Sequence, residues 1–181
     1  MSDPLEGIEK QLRRRNFDSP PLHLWDPPLS GDIAIRIASD GSWYHDGTPL
    51  RRKSLVSLFA SILRREDDGH YYLVTPVEKW RIAVELHPLI VTDIVPLDTT
   101  EGEQPLLQAL LNTGKTVLIS GENPLFLEPV VGDIPALELA HGLTALLSRA
   151  AWYRLADMAE ENNGVLSIAS GDYRFELGQP G

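Results

Sequence analysis

Three consecutive cations, Arg51, Arg52 and Lys53, stand directly before Ser54 and an apolar series at Leu55, Val56, Leu58, Phe59, Ile62 and Leu63. The series has helical spacing and predicts an amphipathic helix that Ser54 caps and Asp67-Asp68-Gly69 stops, with Arg64 and Arg65 in its last turn. Cations at a helix start oppose the positive end of the macrodipole, so helix stability does not account for them. An anion does: unpaired amides, a capping hydroxyl and three positive side chains together suit a phosphate. The competing account pairs the same cations with carboxylates of the acidic second half.

Lys79 and Arg81 alternate with Trp80, Ile82 and Val84 and so project from the polar face of a strand. With Arg149 and Tyr153 of a later helix they are candidates to line a groove; plain solvent-exposed charge is the alternative. Trp43, Tyr44, Tyr71, Tyr72 and Trp80 offer a stacking platform for a base or, more simply, core and cross-strand packing.

No reaction is legible. His23, His45, His70, His87 and His141 lie in separate segments without HxH or HExxH spacing, so no metal site is expected. Gly114-Lys115-Thr116 lacks the upstream glycine and the following helix of a phosphate loop, and neither a GxSxG elbow nor a GxGxxG fingerprint occurs. The absence of cysteine excludes disulfides, zinc-thiolate sites and thiol nucleophiles. No catalytic residue and no cofactor are assigned.

Several elements position these residues. Leu5, Ile8 and Leu12 form a short helical stripe followed by Arg13, Arg14 and Arg15; Ser19, Pro20, Pro21, Pro27 and Pro28 then enforce an extended arm, with Leu22, Leu24 and Trp25 as docking side chains. Ile33, Ile35 and Ile37 alternate with smaller or polar residues as in a half-buried strand. Asp40-Gly41 and Asp46-Gly47 are turn signals that lead either to a small meander through Pro49 or to a helix starting at Thr48. Residues 71–75, 79–85 and 89–95 read as strands.

The second half gives a strand end at 136–139, a long helix at 143–161 closed by Asn162-Asn163-Gly164, and strands at 165–169 and 173–177. Overlaying residues 66–69 on 161–164 puts Leu73 on Ile168, Lys79 on Arg174 and Trp80 on Phe175. This register suggests two related modules or arises by chance. Residues 105–112 fit a helix or a hairpin strand equally, and residues 98–104 are the linker candidate. The expected division is an arm at 1–30, a first module at 31–97 and a second at 98–181.

Net charge is −10, and it is unevenly spread: residues 1–81 carry 12 basic and 12 acidic side chains, residues 82–181 carry 4 and 14. Duplex nucleic acid is disfavoured as a partner, whereas a local basic pocket for a small anion is not. Without an export signal or an apolar stretch of bilayer length, the chain reads as cytoplasmic, with no membrane association.

The run GSWYHDGTPLRRKSLVSLFASILRR at 41–65, then YYLVTPVEKWRIAVE at 71–85 and HGLTALLSRAAWYRLADMAE at 141–160, resembles the bacterial domain of unknown function 1285 family. The likeness extends over about residues 20–178, and TPVEK at 75–79 is its most specific part. It implies a duplicated α+β architecture, each module a small antiparallel sheet on one amphipathic helix, the second module loosely similar to pleckstrin-homology folds. It favours a strand for 106–111. It further implies a ligand site, for a nucleotide, at the interface between the modules and a role in signalling. Together with the residue reading above, this gives a non-enzymatic cytoplasmic regulator that binds a nucleotide or other phosphorylated small molecule between the modules, with Arg51, Arg52, Lys53 and Ser54 on the phosphate and Lys79, Arg81, Arg149 and Tyr153 closing the groove. The alternative is a protein-protein adaptor without a small-molecule ligand.

Overall fold

A computed structural model describes residues 3–13 and 20–179, so Arg14, Arg15 and Ser19 lie outside the described residues. The chain divides into two compact units: the residues through Pro88 together with His141–Leu143, and Leu89–Ala140 with the residues from Thr144 on. The boundary expected at 97/98 therefore falls inside the second unit, because the strand ending at Leu97 pairs there on both sides.

In the first unit, α1 (Pro4–Arg13) buries Leu5, Ile8 and Leu12, as their spacing dictates. The arm follows through a 3-10 turn at Leu22–Leu24. Leu22 docks at 1% exposure, but Leu24 stays 71% exposed. Then come β1 (Leu29–Ile37), β2 (Trp43–His45), β3 (Thr48–Pro49), α2 (Lys53–Ala60), β4 (Leu63–Arg65), β5 (Tyr71–Val74) and β6 (Lys79–Val84). They form one sheet in the order β3-β2-β1-β6-β5-β4. It is mixed, not purely antiparallel, because β1 and β6 run parallel at its centre.

Asp46 and Gly47 turn β2 into β3 with φ of 49° and 77°, the left-handed pair of a two-residue hairpin. The meander is thus formed, and no helix starts at Thr48. Helix α2 is shorter than its apolar series suggests and is capped by the backbone of Arg52, not by the Ser54 hydroxyl. Ile62, in the turn after α2, and Leu63, the first residue of β4, are both fully buried, and β4 pairs with β5 around Glu66-Asp67-Asp68-Gly69, where Gly69 N–H donates to the Glu66 carbonyl at 2.9 Å. Arg64 and Arg65 are consequently strand residues. Arg64 donates through Nη1 to the carbonyls of Leu22 (2.9 Å) and Trp25 (2.8 Å), pinning the arm.

The second unit contains β7 (Leu89–Leu97), β8 (Leu106–Leu111), β9 (Thr116–Leu118), β10 (Leu125–Glu128), β11 (Ile134–Glu138), β12 (Thr144–Leu147), α3 (Arg149–Asp157), β13 (Glu160–Asn162), β14 (Val165–Ser170) and β15 (Tyr173–Gly178). Residues 106–111 are a strand. The long helix expected at 143–161 is instead β12, α3 and β13: Ser148 caps α3 by accepting from Ala151 N–H at 3.1 Å, and Asn163-Gly164, with φ of 52° and 79°, form a hairpin turn. Sheet β10-β11-β12-β7-β8-β9 is mixed, with β7 and β12 parallel, and β13-β14-β15 form a third sheet. Buried Ser170 accepts from Leu107 N–H at 2.8 Å and the Tyr173 hydroxyl from Leu125 N–H at 2.9 Å, fastening that sheet to the six-stranded one.

The two units are related in topology. Counted from the first strand of each, both six-stranded sheets run 3-2-1-6-5-4 with strands 1 and 6 parallel. A helix followed by a three-stranded meander also recurs, as α2-β4-β5-β6 and α3-β13-β14-β15. The overlay of Leu73 on Ile168 and Lys79 on Arg174 thus sets β5 on β14 and β6 on β15, and Leu73 and Ile168 are both fully buried.

Candidate functional site

The central parallel ladder of the first unit is interrupted twice. Leu29 pairs with Lys79 and Gly31 with Trp80, an offset that Ser30 bridges by accepting Lys79 N–H on its hydroxyl at 3.1 Å. A larger interruption follows: Asp32 pairs with Arg81, but the next partners are Arg36 and Ala83. Four residues of β1 are advanced against two of β6, so the strands part between these pairs, as at a β-bulge. An open cleft of about 500 Å³ lies there, lined by Asp32, Ala34, Arg36, Arg81 and Ala83, by the backbone-adjacent isoleucines 33, 35 and 82, and by His70 and the Asp46-Gly47 turn.

Residue type explains the hollow. Ile33 and Ile35 are buried, so the alternating positions Ala34 and Arg36 lie on the other face. Ala34 and Ala83 leave room that a larger side chain would fill. The Asp46-Gly47 turn is held against β1 by Asp46 N–H donating to the Ala34 carbonyl at 2.9 Å.

The rim is charged and ordered. Arg81 donates from Nε and Nη2 to the two oxygens of Asp32 at 2.7 and 3.1 Å, a bidentate pair. The hydrogen bond from Arg81 holds the Asp32 carboxyl below its ordinary range, against an opposing desolvation, with the charges of Arg81 and His70 acting in the same direction as the hydrogen bond. That same hydrogen bond raises Arg81. Three of the five guanidinium N–H donors of Arg81 remain outside this pair. Arg36 donates from Nη1 to Glu85 at 2.6 Å and lies 4.4 Å above the Tyr44 ring. The second Glu85 oxygen accepts from Ser39 N–H at 2.9 Å, so Arg36 too is held from behind.

The residues expected to bind ligand do not form one cluster within either unit. Arg81 lines the cleft. Lys79 instead bonds both oxygens of Glu66 at 2.7 and 3.1 Å and sits 4.9 Å over the Tyr72 ring. Arg52 and Arg13 both donate to Glu9 of α1. Burial raises the Glu9 carboxyl, but the hydrogen bonds and charges of the two arginines prevail and hold it low. An anion thus already meets the basic run, and it comes from α1, not from the acidic second half. Arg51, Lys53 and Ser54 are exposed. Arg149 and Tyr153, in the second unit, pair with each other along α3, Nε and Nη2 lying 3.3 and 3.2 Å from the hydroxyl.

The aromatic residues are largely engaged in packing. Trp43 is buried and stacks on Phe59 at 6.5 Å, Tyr72 is buried and donates to Asp68, and Tyr71 lies 5.5 Å beneath Arg65. From the sequence, Asp32 and Arg36 carry no ligand role, Asp46 is only a turn residue and His70 only a histidine without metal-site spacing. The polar positions of the Ile33-Ile35-Ile37 alternation were the available signal for the first two. Among the described residues no group of three or more His, Asp or Glu side chains is placed to hold a metal ion.

A second cleft of about 560 Å³ in the first unit is lined by His23, Trp25, Arg64, Arg65 and residues 66–68. Three of its charged residues are engaged structurally: Arg64 with the arm, Glu66 with Lys79 and Asp68 with Tyr72.

Comparison with known proteins follows the two-unit division. Residues 20–86 match the model of the N-terminal domain of a domain of unknown function, DUF1285, and residues 88–177 match that of its C-terminal domain. A DUF1285 family protein from Silicibacter pomeroyi DSS-3, solved by crystallography, is 36% identical with a TM-score of 0.84, over 99% of this chain and 97% of that one. A second crystal structure, of a DUF1285 family protein from Shewanella baltica OS155, is 31% identical with a TM-score of 0.55, over 69% of this chain and 91% of that one. The comparison with curated proteins returns no match.

Proposed function

This chain belongs to the DUF1285 family, and from its geometry we propose that it is a cytoplasmic ligand-binding regulator in signal transduction, taking a nucleotide or other phosphorylated small molecule in the β1–β6 cleft. The observation that carries this reading is the parted ladder between the Asp32–Arg81 and Arg36–Ala83 pairs, which leaves an ordered charged rim with two arginines beside small apolar side chains. Its volume and its few convergent polar groups are those of a small-molecule site. The phosphate takes the outward donors of Arg81, with Arg36 and His70 beside it, and the ligand body lies across Ala34 and Ala83.

Thermal unfolding of the full chain with a panel of phosphorylated metabolites tests the proposal. A ligand present at about 100 times its Kd adds about 2.7 kcal/mol of stability. The reading requires such a shift for at least one compound and its loss in Arg81→Ala. No shift with any phosphorylated compound refutes it and leaves the adaptor alternative.

A further inference from the structure

Resting on that reading of the cleft, we propose that Asp32 and Asp46 are charge-selecting residues that restrict the ligand to phosphomonoesters bearing hydroxyl or amino donors, and that they exclude di- and triphosphates. Of arginine, lysine, aspartate and glutamate side chains, the rim carries Arg36 and Arg81 against Asp32 and Asp46. It is therefore balanced in charge, not basic, and Arg36 is further offset by Glu85.

Both carboxylates face solvent, at 66% and 71% side-chain exposure. Each oxygen of Asp32 accepts one bond from Arg81 and keeps a lone pair for a second donor. Asp46 is fixed at the rim by its left-handed backbone and by the hydrogen bond that its N–H donates to the Ala34 carbonyl; one of its oxygens lies 3.5 Å from His45 Nε2. A single phosphate satisfies the spare donors of Arg81, while ligand hydroxyl or amino groups meet the carboxylates. Each further phosphate adds negative charge with no further arginine or lysine among the lining residues and brings it against Asp32 or Asp46.

Two substitutions isolate the charge. Asp46→Asn tolerates the positive φ and leaves the Arg81 pair untouched, and Asp32→Asn keeps an acceptor for Arg81. Titration calorimetry of the full chain with adenosine and guanosine mono- and triphosphates should show the monophosphate bound at least about tenfold more tightly, a difference of about 1.4 kcal/mol. In the double variant Asp32→Asn with Asp46→Asn, the preference should fall to within about threefold. Equal affinities in the wild type, or an unchanged preference in the double variant, overturn the inference while leaving the cleft reading intact. Binding of none of the four nucleotides overturns this inference; the cleft reading then stands or falls on the wider panel and on Arg81→Ala.

Discussion

Asp32 and Arg81 show how one pair can order a site without contributing to the core. Asp32 is largely exposed and Arg81 partly so, and a pair in such surroundings contributes little to stability, so Arg81→Ala should lower the melting temperature only slightly while abolishing the ligand-induced shift. The lowered Asp32 carboxyl has a definite sign: its contribution is present above the ordinary carboxylate value near 4 and is lost as pH falls through the lower folded value. Asp32→Asn should therefore reduce the acid-side loss of stability in urea melts below about pH 4, and an unchanged profile would contradict the pair. Tyr72 has the opposite sign. Its hydrogen bond to Asp68 pushes the phenol up to about 12, so that contribution is complete below about pH 10 and fades as pH rises toward 12. Spectrophotometric titration should show a late-ionising tyrosine that disappears in Tyr72→Phe. The sequence made Arg81 legible as a strand-face cation, but not its partner: Asp32 lies 49 residues away, and nothing local marks a pairing across that distance.

At the scale of elements, the cleft depends on two alanines and a parted ladder. Ala34→Leu and Ala83→Leu place bulk where both positions are exposed, so each should retain the fold by circular dichroism and lose ligand binding. Retained affinity in both would remove the cleft from the account. The limits of sequence reading are clear here. The isoleucine alternation, the Asp46-Gly47 hairpin and the helix of α1 were visible because they are local patterns. The ends of α2 and α3 were not, because short apolar runs such as Ile62-Leu63 and residues 144–147 satisfy helix and strand alike until a sheet partner is known. Parallel pairing of β1 with β6 was invisible for the same reason, and so was the cleft that it creates.

The whole molecule repeats one strand order in two units whose charges differ sharply. The family resemblance and the two-module architecture were readable over nearly the entire chain, whereas the proposed site was only one residue legible, at Arg81. His141–Leu143 belong to the first unit although their neighbours in sequence belong to the second. Gly142 has φ of 70°, and a side chain there would come within 3.1 Å of the Arg65 carbonyl oxygen. Gly142→Ala should therefore cost more than about 1 kcal/mol in denaturant unfolding, and a neutral result would contradict this packing. Amide chemical-shift mapping of the full chain with each phosphorylated metabolite of the panel is the most direct test of the central claim. The account predicts, for at least one compound, shifts concentrated at residues 32–36, 46–47, 70 and 81–83; shifts concentrated at residues 51–54, or none with any compound at saturation, would contradict it.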